Sequence, residues 1–387
     1  MDGLRGLAAV IVLASHVMLT VPSLAAVLYT AGVATGLNAF ETAIAYSPLH
    51  VFWAGQEAVV VFFVLSGLVL TLPVLKRPGF AWARYYPKRL VRLYVPVFAA
   101  VAFGVLLVVL VPRADPGGLG AWIENRPTSP SFTGIVRDLT LVAGPSRLIS
   151  PLWSLQWEVI FSLLLPVYVW IATRWKAGVA IKVVLLLALV ALGITLRVSA
   201  LIYLPMFACG TLLAVHLETV RRVTARMRNH AWVWSGLLAL ALATSHWTLA
   251  PFISSRFLDY SVLLAFIGCA WLVIASMFAD GFRRFLESRV LQWLGLISFS
   301  LYLTHEPIVI AITFLSGPGQ AWLVALVGIP VALIIAWLFY LLVERPSHRL
   351  AQWVGNLGLW TMASPRSRHG HPARRGAAVG APEAPTA

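Results

Sequence analysis

The feature that most constrains this chain is an apolar segment, residues 4–22 (LRGLAAVIVLASHVMLTVP), long enough to cross a bilayer yet holding Arg5 and His16. The two are eleven residues apart, and eleven helical steps of about 100° leave only about 20° beyond three full turns. Both side chains therefore project from one helix face, roughly 16 Å apart along the axis. Ionisable groups inside a span are costly unless they face a protein-lined cavity, which makes this face a functional surface.

The rest of the chain fits the same setting. With 60% hydrophobic and 11% charged residues and a mean hydropathy of +0.86, it is not an ordinary soluble protein. About ten apolar stretches have spanning length, near 4–22, 56–75, 93–112, 152–173, 178–196, 198–217, 231–247, 259–278, 290–314 and 321–343. The expected fold is an all-α, polytopic membrane helix bundle of about ten transmembrane helices. No cleavable signal peptide stands out, so the first span reads as a signal anchor.

Charge sets the expected orientation. With the N-terminus in the cytoplasm, 23 of the 29 Lys and Arg fall on the cytoplasmic side; Arg113, Arg126, Arg137, Arg147, Arg197 and Arg256 do not. Both termini are then cytoplasmic, and the net charge of +15 is a topology signal, not a nucleic-acid footprint. Residues 1–350 form the expected membrane domain. Residues 351–387 form a basic, Pro/Ala/Gly-rich cytoplasmic tail, expected to be disordered from about 361. The longest external loop, 113–151, is too short for a core of its own. Cys209 and Cys269 lack metal-ligand spacing and read as small buried residues, and no metal is expected.

Depth in the membrane is the useful coordinate. At 1.5 Å per residue, His16 lies roughly 18 Å from the inner end of its span. Glu158, in PLWSLQWEVIFSLLLP, lies roughly 9 Å below the outer face, and in SFSLYLTHEP Tyr302 and His305 lie about 18 and 22 Å from the inner end. Four polar side chains from three spans thus share one layer of the outer half-membrane. Each also has a structural reading: His16 as a hydrogen-bond partner, Tyr302 and His305 as cavity lining or helix glue, Glu158 as a protonated helix bridge, Ser66 as a packing residue beside Gly67, Arg5 as a topology charge or interfacial anchor. In the first cytoplasmic loop, YYPKRLVRLYVP places Lys88, Arg89 and Arg92 at the start of span three. Two guanidiniums on neighbouring turns can chelate phosphate oxygens, or simply anchor the loop against anionic lipid.

At these residues the chain resembles the acyltransferase 3 family of integral-membrane bacterial O-acyltransferases. MDGLRGLAAVIVLASH resembles the opening span, with an Arg, ten residues and a His. VFFVLSGLVL resembles the second-span motif, RLVR the cytoplasmic Arg-x-x-Arg, PLWSLQWEVIF the Trp-Ser-Leu-x-x-Glu segment, and SFSLYLTHEPIV and ERPSHRL the late spans. Six motifs in order make the resemblance specific. It implies transfer of an acyl group, commonly acetyl from cytoplasmic acyl-CoA, to a hydroxyl of a glycan, a glycolipid or a sugar-bearing natural product such as a macrolide, at the bacterial cytoplasmic membrane. No fused SGNH-type hydrolase domain is expected. The start lies only four residues before Arg5, so either the short extension that many members have is expected to be lacking or the true start is expected to lie upstream.

The mechanism expected from these readings gives each residue a task. Lys88, Arg89 and Arg92, assisted by Arg5, hold the acyl-CoA phosphates. His16 removes the acceptor proton or carries the acyl group itself, and Glu158 orients its ring. Tyr302 is the candidate oxyanion donor, and Ser66, Trp153 and His305 line the substrate cavity. A transporter of a lipid- or sugar-linked substrate, and a non-catalytic partner in glycan assembly, are the competing readings.

Overall fold

The computed structural model describes residues 1–30, 32–113, 117–141, 144 and 146–360. Among these, every regular element is helical. We number the long helices α1 (Asp2–Met18), α2 (Gly55–Lys76), α3 (Trp82–Leu110), α4 (Leu152–Arg174), α5 (Val179–Leu196), α6 (Ser199–Val215), α7 (Asn229–Ala243), α8 (Ser261–Phe278) and α9 (Arg289–Ser316), and α10 (Ala321–Leu357). Each corresponds to one of the ten apolar stretches.

Among the described residues, seven helices are long and apolar enough to cross a membrane, or up to nine if each of two bent pairs is one span. The seventh stretch falls short. Helix α7 has 15 residues, about 22 Å against a hydrocarbon core of about 30 Å, and the short helix Ser245–Leu249 continues it. Two boundaries also move. Helix α3 begins at Trp82, not near 93, so Arg89 and Arg92 sit two to three turns inside it. The last helix continues to Trp360, so the domain boundary expected at 350 falls within it. The tail from 361 lies outside the described residues.

Glycines decide which helices meet. Helix α1 packs most extensively on α9, and α2 on α6. A Cβ on Gly6 would lie 2.5 Å from the Gly295 nitrogen, and one on Gly295 would overlap the Asp2 carbonyl. Likewise Gly67 and Gly210 let α2 and α6 touch backbone to backbone. Small residues at such crossings are what membrane helices use when burial from water supplies no drive. Register follows from the first contact: Gly6 to His16 is ten residues, and so is Gly295 to His305. Since α1 and α9 run parallel, a glycine crossing at one level sets the two histidines side by side roughly 15 Å further along.

Replacing Gly6 by Leu forces α1 off α9 and should cost at least the 1–3 kcal/mol typical of overpacking. Thermal unfolding in detergent is expected to show a lower midpoint for Gly6→Leu and an unchanged one for Gly236→Ala, where an added Cβ meets nothing within 4 Å. Equal midpoints would show that the glycine crossing does not hold the pair.

Candidate active site

At that level His16 Nδ1 lies 2.7 Å from His305 Nε2, and His305 Nδ1 lies 2.7 Å from the Leu301 carbonyl oxygen. A carbonyl only accepts, so the His305 proton sits on Nδ1 and its Nε2 offers a lone pair. That lone pair accepts from His16 Nδ1–H. His16 Nε2 is then left as the free basic nitrogen of a ring that lines a cavity of about 380 Å³. His305 itself is fully buried. It buttresses the His16 ring from behind, so the cavity wall expected at this position is formed by His16.

Trp122, Asn125, Arg126, Arg147 and Ser150, from the segment between α3 and α4, line this cavity. Trp122 stacks on His16, with ring centroids 5.4 Å apart, and the Arg126 guanidinium lies 4.4 Å over the Trp122 ring. Arg126 Nη2 pairs with Glu306 Oε1 at 2.8 Å. Ser150 gives the same carboxylate its backbone N–H and its hydroxyl, both at 2.5 Å. Three donors satisfy a fully buried carboxylate, which is what keeps a charge tolerable there. The chain of contacts runs from α1 through the loop to the residue after His305. Nearby, burial and the Arg126 charge lower the pKa of Arg113 to about 10.

Glu158 does not reach His16. Its Oε1 lies 2.5 Å from Arg89 Nη2 and accepts from Ser66 at 3.2 Å, while Arg89 Nε bonds the Ser162 hydroxyl at 3.1 Å. The position expected for Glu158, behind the imidazole, belongs to His305. Arg89 is bound to this carboxylate, which leaves Arg92 as the member of the pair without an ion pair or hydrogen bond among the described residues. Arg5, Ser66, Arg89, Arg92, Glu158 and Glu344 line a second cavity of about 590 Å³. Glu344 lies in a π-helical turn and accepts from Ser300 at 2.6 Å. Beyond Arg89 and Arg92 opens a basic cleft of about 950 Å³, lined also by Lys76, Arg77, Arg84 and Lys88.

Tyr302 stands between the two cavities and lines both. Its hydroxyl lies 2.7 Å from Ser154 Oγ and 3.2 Å from the Pro151 carbonyl. Trp153 lines the His16 side, and Ser66 the Arg92 side. Sequence reasoning missed Trp122, Arg126 and Glu306. An acidic residue directly after His305 in an apolar span was the available signal. Among the described residues no group of three or more His, Cys, Asp or Glu is placed to hold a metal.

The family model described as an acyltransferase domain, acyltransferase 3, matches residues 1–341. The chain belongs to this family. Acyltransferase 3 membership makes it a membrane acyltransferase, and the transport and non-catalytic readings give way. It is similar to the acyltransferase MdmB of Streptomyces mycarofaciens, 26% identical over 335 residues, covering 78% of this chain and 83% of the relative. No solved structure matches.

Removing one partner of the buried pair should be severe. Arg126→Met is expected to cost about 3–5 kcal/mol by leaving the Glu306 carboxylate short of a cation. Adding Glu306→Gln should recover a large part of the lost thermal midpoint. A double variant no more stable than Arg126→Met would mean that the pair is not what Arg126 contributes.

Proposed function

We propose that this acyltransferase moves an acyl group, acetyl being the first candidate, from acyl-CoA held at the basic end of the bundle to a hydroxyl that reaches His16 from the opposite end. The observation that carries this reading is Tyr302, one side chain that lines both the Arg92 cavity and the His16 cavity. The charge distribution of the loops supports a cytoplasmic basic end, with both termini inside, in a bacterial cytoplasmic membrane.

The basic cleft suits the phosphates of CoA. Arg92, with Lys88 and Arg5, supplies cations that have no ion pair among the described residues, and Arg89 holds Glu158 as the wall between cleft and cavity. The thioester then lies in the Arg92 cavity against Tyr302. His16 Nε2 takes the proton of the acceptor hydroxyl as its oxygen attacks the thioester carbonyl. The C–O bond forms, the C–S bond breaks, and the thiolate recovers the proton from the imidazolium as CoA leaves. His305 Nε2 stabilises the positive ring by accepting from Nδ1–H throughout, the part a carboxylate plays in serine-hydrolase triads. Tyr302 is the oxyanion donor in this scheme, turning its hydroxyl from the Pro151 carbonyl toward the developing charge. The acceptor class is a sugar-bearing molecule, and Trp53, Trp122 and Trp153 are among the aromatic side chains lining the cavity that would receive it.

The His pair gives a graded test. Purified protein in nanodiscs is given acetyl-CoA and an acceptor panel of glycans and macrolides, and acceptor-dependent release of CoA is measured. His16→Ala is expected to lose at least the 10²–10⁴-fold that a general base contributes. His305→Gln, which retains an acceptor for Nδ1–H, should lose less than His305→Leu. Activity of His16→Ala within a few-fold of the parent would remove His16 from the chemistry.

The donor side has its own readout. Arg92→Ala is expected to raise the KM for acetyl-CoA, and the effect should shrink as salt screens the phosphates. An unchanged KM at low salt would leave the basic cleft as topology alone.

A further inference from the structure

Glu57 has no part in this mechanism, yet it sits at its threshold. It lies in the first turn of α2 and is only 8% exposed. Its Oε1 accepts from Trp247 Nε1–H at 3.1 Å, whereas its Oε2 is buried without a hydrogen-bond partner among the described residues. Leaving such an atom unmatched costs free energy that a ligand group would recover. Among the described residues it is the only acidic side chain lining the His16 cavity. Beside it His50 stacks between Trp53 and Trp247, with centroids 4.2 and 4.4 Å away. Burial lowers the His50 pKa to about 3, so this panel is neutral.

Glu57 also lines a fourth space, a groove of about 750 Å³ on the flank of the bundle between α1, α2, α7 and α8. Its walls are apolar, among them Leu7, Ile11, Val61, Leu240 and Leu272. Val233 and Leu237, 59% and 51% exposed, form a rim that opens it sideways to the hydrocarbon. The volume suits a drug-sized apolar body.

We propose that this groove is the side entrance for the acceptor. An amphiphilic acceptor lays its apolar portion between α1 and α7, and its polar end satisfies Glu57 Oε2 as it enters the His16 cavity. The inference rests on the reading that His16 takes the acceptor proton. A structural lipid fits less well. Its headgroup would meet Asn229, Asp280 and Arg284 at the other end of the groove and leave Glu57 Oε2 unmatched.

Gly236 makes the test clean, because it lines the groove and a Cβ there meets nothing within 4 Å. Binding of tritiated octyl β-glucoside, below its micelle concentration, is measured on protein in nanodiscs after subtracting uptake by empty discs. The expected result is saturable binding at one site per chain. Gly236→Phe should weaken it at least tenfold, Glu57→Gln several-fold and Gly236→Ala not at all, and methyl β-glucoside should not compete. No saturable component, or equal binding by the parent and Gly236→Phe, overturns the proposal. Loss in Gly236→Phe with no effect of Glu57→Gln also overturns it, since a lipid chain alone then fills the groove. Binding is measured without acetyl-CoA and without turnover, so its failure is distinguishable from failure of the transfer mechanism.

Discussion

The bond between His16 Nδ1 and His305 Nε2 is the contact on which the rest of the site depends. It fixes a tautomer, leaving one basic nitrogen toward the cavity, and it does so without placing a carboxylate in the hydrocarbon layer. A neutral partner is the cheaper way to orient an imidazole there, because an ionised group at that depth needs its own counter-charge. The bond in turn depends on a backbone contact ten residues away, where Gly6 and Gly295 let two parallel helices touch. Catalytic geometry and helix packing are set by the same crossing.

Around this pair the polar groups divide into compartments. Arg126 and Glu306 neutralise one another above the histidines, and Arg89 and Glu158 do so below them. Both pairs stiffen walls. Among the described residues, Arg92 in the lower cavity and Glu57 in the upper one have no ion-pair partner, and they are the groups proposed to read donor and acceptor. Tyr302 divides the two cavities by packing and hydrogen bonding, which in the proposed mechanism keeps donor and acceptor apart until both are bound.

Much of the fold was legible in the sequence, since spanning helices declare themselves by apolar length. All ten stretches became helices, and the shared depth of His16, Tyr302 and His305 survives in their contacts. Depth carries no azimuth, however. Glu158 was placed beside His16 by its height alone, whereas its helix turns it toward Arg89. That partner was set too shallow, because Arg89 precedes the apolar run and its helix starts eleven residues before Leu93. Among its described residues, the segment between α3 and α4 has only two short helices, Ala121–Glu124 and Phe132–Thr140, too short to span a membrane, and the role of Trp122 and Arg126 comes from docking on His16 and Glu306. Arg126 is one of six positive charges left on the far side by the topology count, and that exception, read with Glu306 in a span, was the unread sign of a buried pair. Equal Gly-to-His spacings in the first and ninth spans would have found the histidine pair.

In the proposed mechanism one imidazole is served from opposite ends of the bundle. The decisive measurement loads proteoliposomes with radiolabelled acetyl-CoA and bathes them in external acceptor. Labelled product is expected outside while the CoA thiol accumulates inside, with no label transferred to acceptor confined to the donor's own compartment. Product formed only where donor and acceptor share a compartment would overturn the mechanism.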